Sequence, residues 1–430
     1  MLRKNLSAPG LFSVVKKSFE KIPDLCVRRS NISLSDCLMS GLAIFSLKIP
    51  SLLQFDHDKE EALIRHNLKN LFQINQAPSD TYLRERLDII DPILIRKSFK
   101  KVFAELQRGN ALEQFCYIDG HYLLSLDGTG YFSSTKVHCE SCCVKKYSHT
   151  GDILSYYHNM LGGVLINPDF KEVIPLPPEP ILQQDGNIKN DCEQNASKRT
   201  LENIRREHPH LKLIVVEDAL YATGPHVKTL QQHKMKFIIG CQKAYGYLFE
   251  NSHDLVTEHE IIDDNKVRHI FKFANNIPLN GSHSDIEINV LDYHEISPNG
   301  KERHFRWITD LPITKTSAFK IMKGGRARWK IENETFNTLK NQGYHFEHNY
   351  GHGDKNLTTV FAYLMMLAFL IDQVQQLCCK LFKAALEFSK SKIRFWQKIR
   401  GYFTLYYLDS WEQLYDAIAY QKGNAKLNTS

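Results

Sequence analysis

At 430 residues the chain is long enough for roughly two to four domains with cores of their own, and 43% hydrophobic residues exclude a disordered chain. The formal charge of +7 is a mild excess that permits a polyanionic partner without demanding one, so any basic binding surface has to be local. Ten scattered cysteines, and a start (Met1, Leu2, Arg3, Lys4) with no apolar run behind it, read as reduced thiols in a cytoplasmic protein without a secretory leader.

In chain order, residues 1–114 read as helical. Ser35 is placed to cap a helix through Leu38, Leu42 and Phe45 that Pro50 stops. Pro78-Ser79-Asp80 opens a short helix with Arg84 and Arg86. Asp91-Pro92 breaks it and starts another with Arg96, Lys97, Lys100 and Lys101 on its polar side. Two helices around a tight turn with basic flanks suit a DNA-holding bundle, with Arg84 and Arg86 as candidate DNA contacts. An ordinary solvated basic face is the competing reading.

Near Phe115 the pattern changes to strands. Asp119-Gly120 has the composition of a hairpin turn, which makes Asp119 a turn residue rather than a ligand. Residues 123–127 form an apolar run ending in Asp127, with Gly128-Thr129-Gly130 directly after it. A strand over 156–166, an edge over 171–176 and a helix over 191–208 follow. Residues 213–218 are a β-branched run of the kind buried on both faces, ending in Asp218. Gly224-Pro225 opens a helix to about His233, and 237–240 is a further strand. Strand, helix, strand with short connections is a parallel crossover, and ligands collect beyond the carboxyl ends of such strands, where Asp218 falls.

From 243 to 312 the helical period disappears in favour of strands around Phe271, Ile288 and Trp307, separated by Asn280-Gly281 and Asn299-Gly300. The period returns at Gly325. With ~3.6 residues per turn, Trp329, Glu332, Phe336 and Leu339 share one stripe, edged by Arg328 and Lys340. A carboxylate on a buried stripe needs a cation, a metal or a hydrogen-bond network. A structural Arg328–Glu332 pair one turn apart is the plain alternative. Glu334 falls on the polar side with Lys330 and Asn337. The apolar run 360–371 is about a dozen residues, short of the ~20 a membrane span needs, and reads as a core helix. Near the C-terminus, Lys390, Lys392, Arg394, Lys398 and Arg400 surround Phe395 and Trp396. This is either a basic-aromatic patch for DNA or a partner, or a solvated helix face.

Two clusters raise the question of a metal. In His138-Cys139-Glu140-Ser141-Cys142-Cys143 a Cys-x-x-Cys pair is half of a tetrahedral zinc site. Structural zinc at Cys139, Cys142 and Cys192 would need His149 or His158 to fold back onto it, and buried or free thiols compete with that reading. His345, His348 and His352 lack an accompanying cysteine or carboxylate at ligand spacing, and packing or contact with DNA explains them as well.

Asp127 in SLDGTGYF, Asp218 in VVEDALYA and Glu332 in RWKIENETFNTLK, an acid ending each of two strand runs and one on a helix, can clamp two divalent metals for in-line attack on a phosphodiester. Here the chain resembles the DDE transposases of bacterial insertion sequences. One large group of that family carries Tyr, Arg, Glu and Lys on its last catalytic helix. Arg328 and Glu332 match this spacing, Gly325 stands at the tyrosine position, and Lys340 falls one residue after the lysine position. The resemblance implies an α/β fold: a ribonuclease-H-like mixed-sheet core with a β-rich insertion, flanked by N- and C-terminal helical regions. The corresponding division is 1–114 helical and DNA-binding, 115–242 first part of the core, 243–312 insertion, 313–355 core with the third acid, and 356–430 C-terminal helices. It also implies two Mg²⁺ or Mn²⁺ ions held by Asp127, Asp218 and Glu332, phosphate contacts from Arg328 and Lys340, and double-stranded DNA as partner. The resemblance further implies a homodimer on that DNA, no membrane partner, and cut-and-paste cleavage and strand transfer as the activity. The alternative function is a transposase-derived protein that binds DNA without cutting it.

Overall fold

The computed structural model describes residues 5–25, 32–183, 190–241, 244–246, 255–348 and 350–420. Met1 to Lys4, read above for a leader, lie outside the described residues.

Six helices come first: α1 (Ala8–Phe19), α2 (Leu34–Leu47), α3 (Leu52–Asp58), α4 (Ala62–Phe72), α5 (Asp80–Asp88) and α6 (Arg96–Arg108). The cap of α2 is Ser33 rather than Ser35: its hydroxyl accepts the Asp36 N–H at 3.0 Å, while Ser35 is buried in the first turn. Ser79 caps α5 in the same way. These helices share one core with the C-terminal helices α11 (Leu357–Cys378), α12 (Lys380–Ser389), α13 (Lys392–Leu405) and α14 (Trp411–Tyr420). Phe12 of α1 stacks on Trp411 of α14 with ring centres 5.3 Å apart, and Phe72 of α4 meets both rings edge-on. The Asp88 carboxylate at the end of α5 accepts the free N–H groups of Lys355, Asn356 and Leu357 and so caps α11. Helix α11 is longer than the dozen residues expected. By length and composition it could cross a membrane, but 94% of its most apolar window is buried inside the protein.

The sheet strands are β1 (Cys116–Ile118), β2 (His121–Ser134), β3 (Cys143–Lys146), β4 (Ile153–Ile166), β5 (Ile174–Pro175), β6 (Glu179–Ile181), β7 (Leu213–Glu217), β8 (Lys236–Gly240), β9 (Thr257–Ile262), β10 (Arg268–Asn280), β11 (His283–Ile296) and β12 (Glu302–Thr309). Asp119 and Gly120, both at positive φ, make the two-residue turn between β1 and β2. Strand β4 runs antiparallel to β2, with β5 and β6 on its outer edge. On the other side β7 and β8 continue the sheet in parallel with β2. Helix α7 (Glu193–Glu207) precedes β7, and α8 (Gly224–Gln232) connects β7 to β8. This order and these directions are those of a ribonuclease-H-like core, in a mixed α/β fold.

The β-rich insertion between β8 and the segment carrying Glu332 extends the core sheet. Its last strand, β12, pairs antiparallel with β8, and β11, β10 and β9 follow, so the core sheet and the insertion form one 12-stranded sheet. The antiparallel register that sets Trp307 opposite Gly240, Ile308 opposite Ile239 and Thr309 opposite Ile238 makes the join, because β8 would otherwise be a bare edge.

Candidate functional site

The parallel register of β2 and β7 pairs Tyr122 with Leu213, Leu123 with Ile214, Leu124 with Val215 and Ser125 with Val216. Continued two residues past the last pair, this register brings Asp127 and Asp218 to the same side of the sheet, with Asp218 just beyond the end of β7. Neighbouring strands lie ~4.8 Å apart, so the two acids are neighbours at the mouth of the sheet. Oδ1 of Asp127 accepts the Gly128 N–H at 3.0 Å. Asp218 leaves β7 in an extended conformation and its Oδ1 accepts the Leu220 N–H at 2.9 Å, which turns the chain away and leaves the acid partly exposed.

The third acid arrives on an irregular helix. After α9 (Ala318–Arg326) the chain tightens into a 3₁₀ turn at Ala327–Trp329 and then widens into a π turn at Ile331–Phe336 before α10 (Asn337–Asn341). The irregularity rotates the expected stripe. Ile331, Thr335, Phe336 and Leu339 face the core, whereas Trp329, expected among them, is 50% exposed. Phe336 rests on Gly162 of β4, the residue opposite Asp127, where a Cβ would come within 2.9 Å of the ring. The Ser125 hydroxyl donates to the Arg328 carbonyl at 3.2 Å, fixing this segment to β2. Glu332 consequently comes within hydrogen-bonding reach of Asp127. The Arg328 guanidinium bridges the two, 3.4 Å from Asp127 and 3.1 Å from Glu332. Burial pushes the Asp127 carboxyl up to about 7; Arg328 opposes the rise and Glu332 adds to it. Glu334 points away, toward Lys330 and Lys392.

A cleft of ≈ 290 Å³ opens above the strand ends, walled by Asp218, Trp307, Gly325, Arg328 and Trp329. Gly325, at the position where the resembled group has tyrosine, has no room for a side chain, since a Cβ would lie 2.6 Å from the Trp307 indole of β12. An aromatic ring from the extended part of the sheet thus occupies the place above Gly325.

One acid at this site was not anticipated. Glu193, in the first turn of α7, lies over Gly128, with its carboxylate where a Gly128 Cβ would be. Burial and the neighbouring Asp218 raise its pKa above the usual carboxylate range. The sequence signal was thin: an acid at a helix start is favoured by the helix dipole alone.

The predicted basic contacts fare unevenly. Lys340 pairs with Glu347 at 2.8 Å. Arg84 is half-exposed and pairs with Asp80. Arg86, expected to face DNA, is buried: its guanidinium is held by Asp24 at 2.6 Å and by the Tyr82 hydroxyl, so it has no face to offer a phosphate. Arg96 is likewise buried rather than on a polar face, against Glu207 at 2.8 Å. Phe395 and Trp396 of the C-terminal patch are in the core, and the Trp396 Nε1–H donates to the Gln342 carbonyl. The two rings are therefore not on the surface with the surrounding bases; instead Lys398 lies over the exposed Phe388 ring, 4.1 Å from its centre.

The cysteine motif is also rearranged. Cys139 and Cys142 gather with His158 and His352, while Cys192 is an exposed residue at the start of α7 and is not in the group. Of the three histidines 345, 348 and 352, only His352 joins it.

Among groups of three or more ligand atoms lying within 4.8 Å of one another, none of the described ones contains Asp127, Asp218 or Glu332, so the acids do not form a one-ion cage. Asp127 lies between Asp218, just past the end of the adjacent strand, and Glu332, bridged to it by Arg328. The donors are all carboxylate oxygens, the set that Mg²⁺ and Mn²⁺ prefer.

Residues 180–370 match the family model described as the transposase DDE domain. The match supports a transposase. It spans Asp218 and Glu332 and begins after Asp127. No curated protein matches the sequence. Among solved structures, the piggyBac transposase synaptic complex with hairpin DNA is similar over 97% of this chain and 79% of that one, with 11% sequence identity and a TM-score of 0.40.

Proposed function

We propose that the protein is a metal-dependent DDE transposase that cuts and joins phosphodiester bonds at the ends of its own DNA element, with Asp127, Asp218 and Glu332 as its catalytic acids. The observation that carries this reading is the arrangement around Asp127: Asp218 directly past the end of the adjacent parallel strand, and Glu332 brought beside it and bridged to it by Arg328. Two divalent ions held by these acids would activate the attacking oxygen and stabilise the leaving one. The chain's own residues set the conditions. Gly128 N–H orients Asp127, the turn at Leu220 orients Asp218, and the π turn presents Glu332. Arg328 supplies positive charge between two carboxylates that otherwise repel, and can shift to a phosphate oxygen when cations neutralise them. Trp329, exposed at the cleft and 4.8 Å from the Arg328 guanidinium, offers a flat face for a base next to the cut. Arg84 and Lys340 remain candidate phosphate contacts, and two copies of the chain would hold the two element ends.

The test is cleavage of a duplex carrying the element end, with Mg²⁺ or Mn²⁺, by wild type, Asp127→Asn and Asp218→Asn, with end binding measured in parallel. Loss of cleavage with binding retained is expected. A wild-type protein that binds the end but does not cut it with either metal would instead favour the non-catalytic DNA-binding alternative, and full activity in a chelator would remove the metal mechanism.

A further inference from the structure

Beyond the strand end that carries Asp127, β2 continues to Ser134 and the chain turns through Cys139-Glu140-Ser141-Cys142 into β3. The turn is tight: the Cys142 N–H donates to the Cys139 carbonyl at 3.2 Å, and the Cys139 N–H points at the Cys142 sulfur at 3.4 Å. His158 reaches the same point from β4, and His352 from the segment between α10 and α11.

The four ligand atoms form a compact figure. The sulfurs are 3.8 Å apart, Nε2 of His158 is 3.5 Å from Cys139 Sγ and 3.2 Å from Cys142 Sγ, and Nε2 of His352 is 3.2 Å from Cys142 Sγ. A tetrahedral zinc with bonds of about 2.3 Å to sulfur and about 2.1 Å to nitrogen has S–S edges of about 3.8 Å and S–N edges of about 3.6 Å. These four edges lie within about 0.4 Å of the tetrahedron's, and all four atoms lie within 4.8 Å of one another. Cys142, His158 and His352 are buried, and Tyr131 and Phe132 pack against the imidazoles. Nδ1 of His352 lies 3.2 Å from the Gly353 carbonyl, which places its proton there and leaves the Nε2 lone pair aimed inward.

A hydrogen-bonded cluster explains this poorly. Four donor atoms converge on one buried point from three separate parts of the chain, with few protons to share among them. We propose that Cys139, Cys142, His158 and His352 bind one structural Zn²⁺, which fastens the end of the β2–β4 pair to the segment leading from the Glu332 helix into α11. The cross-link joins residues 210 positions apart in sequence, so it constrains the unfolded chain as a long-range disulfide would. It is independent of the acids at the strand ends and stands whether or not the protein cuts DNA.

The experiment is metal analysis of the full chain purified without chelator or added zinc, by elemental mass spectrometry, alongside native mass. One zinc per chain is expected in wild type, in Asp127→Asn and in Cys192→Ser. Cys142→Ser and His352→Ala should lose it and melt at lower temperature. His352→Cys should keep it, since a third thiolate replaces the imidazole at the same corner. Cobalt exchanged into wild type should give the visible bands of a tetrahedral thiolate site, and these should shift in His352→Cys. Wild-type protein that folds without stoichiometric zinc would overturn the proposal. So would a mass lower by two hydrogens, the mark of a Cys139–Cys142 disulfide, or zinc that Cys142→Ser leaves in place. Because the wild-type content decides by itself, a variant that fails to fold does not rescue the idea.

Discussion

Glu193 lies against Gly128: a methyl group placed on that glycine would sit 2.1 Å from the Glu193 Oε1. The contact sets a fourth carboxylate near Asp218, on the face of β2 opposite the Asp127 side chain, from a helix that carries none of the three proposed catalytic acids. Its raised pKa, due to burial and then to Asp218, marks an acid that gains from any cation brought to the strand ends. Glu193→Gln is expected to lower metal-dependent cleavage by about 10–100-fold, the usual cost of losing a group that supports metal ligands. Gly128→Ala should act in the same direction by driving Glu193 away. Wild-type cleavage rates in both variants, with folding intact by circular dichroism, would mean that Glu193 only caps its helix.

Glu332 and Glu334 separate cleanly by environment. Glu332 meets Arg328 and Asp127, while Glu334 sits near Lys330 and Lys392. Glu332→Gln is expected to abolish cleavage and Glu334→Gln to retain most of it, both variants folding normally. The measurement is strand cleavage at saturating Mg²⁺ on one duplex. The reverse outcome would place the site on the other side of the π turn, and Arg328 would lose its proposed role with it.

How far these features could be read in advance follows from how local they are. Asp127 and Asp218 were legible because an apolar run ending in an acid, then a turn, is written in consecutive residues. The Arg328–Glu332 spacing was legible for the same reason. The orientation of Trp329 was not, since a π turn adds a residue to one helical turn without any sequence mark and moves the ring from the expected buried stripe to solvent. The strands of residues 257–309 were visible, but the edge they join was not, because hydrogen bonding to β8 leaves no pattern in either strand. Arg86 and Arg96 looked like surface bases, and only the fold shows Asp24 and Glu207 reaching them. His352 lies 210 residues from Cys142, beyond any ligand spacing that a motif records.

The helical half depends on a buried ion pair. Lys48, in the left-handed conformation that ends α2, places Nζ 2.5 Å from Asp372 of α11 and within 4.1 Å of the Tyr344 and Trp396 ring centres. The Tyr344 hydroxyl donates to the same carboxylate at 2.7 Å. Burial lowers the Lys48 pKa and raises that of Asp372, so each depends on the other to stay charged. Lys48→Met should cost about 3–5 kcal/mol by leaving Asp372 unpaired. Lys48→Met/Asp372→Leu should recover much of that loss, as read by urea unfolding. Equal losses in single and double variants would show that the rings, rather than the charges, hold the junction.

The last prediction concerns acid. His208, at the end of α7, is buried with its ring 4.3 Å from that of Phe103 on α6, so it joins the N-terminal helices to the core sheet. Burial lowers its pKa from 6.5 to about 4; Glu207 opposes the shift, and Lys100 and Arg96 add to it. The unfolded chain therefore takes up a proton near pH 6.5 that the folded chain refuses until about pH 4. Proton uptake by the unfolded state alone favours unfolding, so this group's contribution is fully present above pH 6.5 and is lost as the pH falls toward 4. The most it can remove is about 3 kcal/mol. Urea unfolding at pH 7 and pH 5 should show wild type weakening more than His208→Leu across that interval, because leucine has no proton to take up. A variant with the same pH dependence as wild type would locate the acid sensitivity elsewhere.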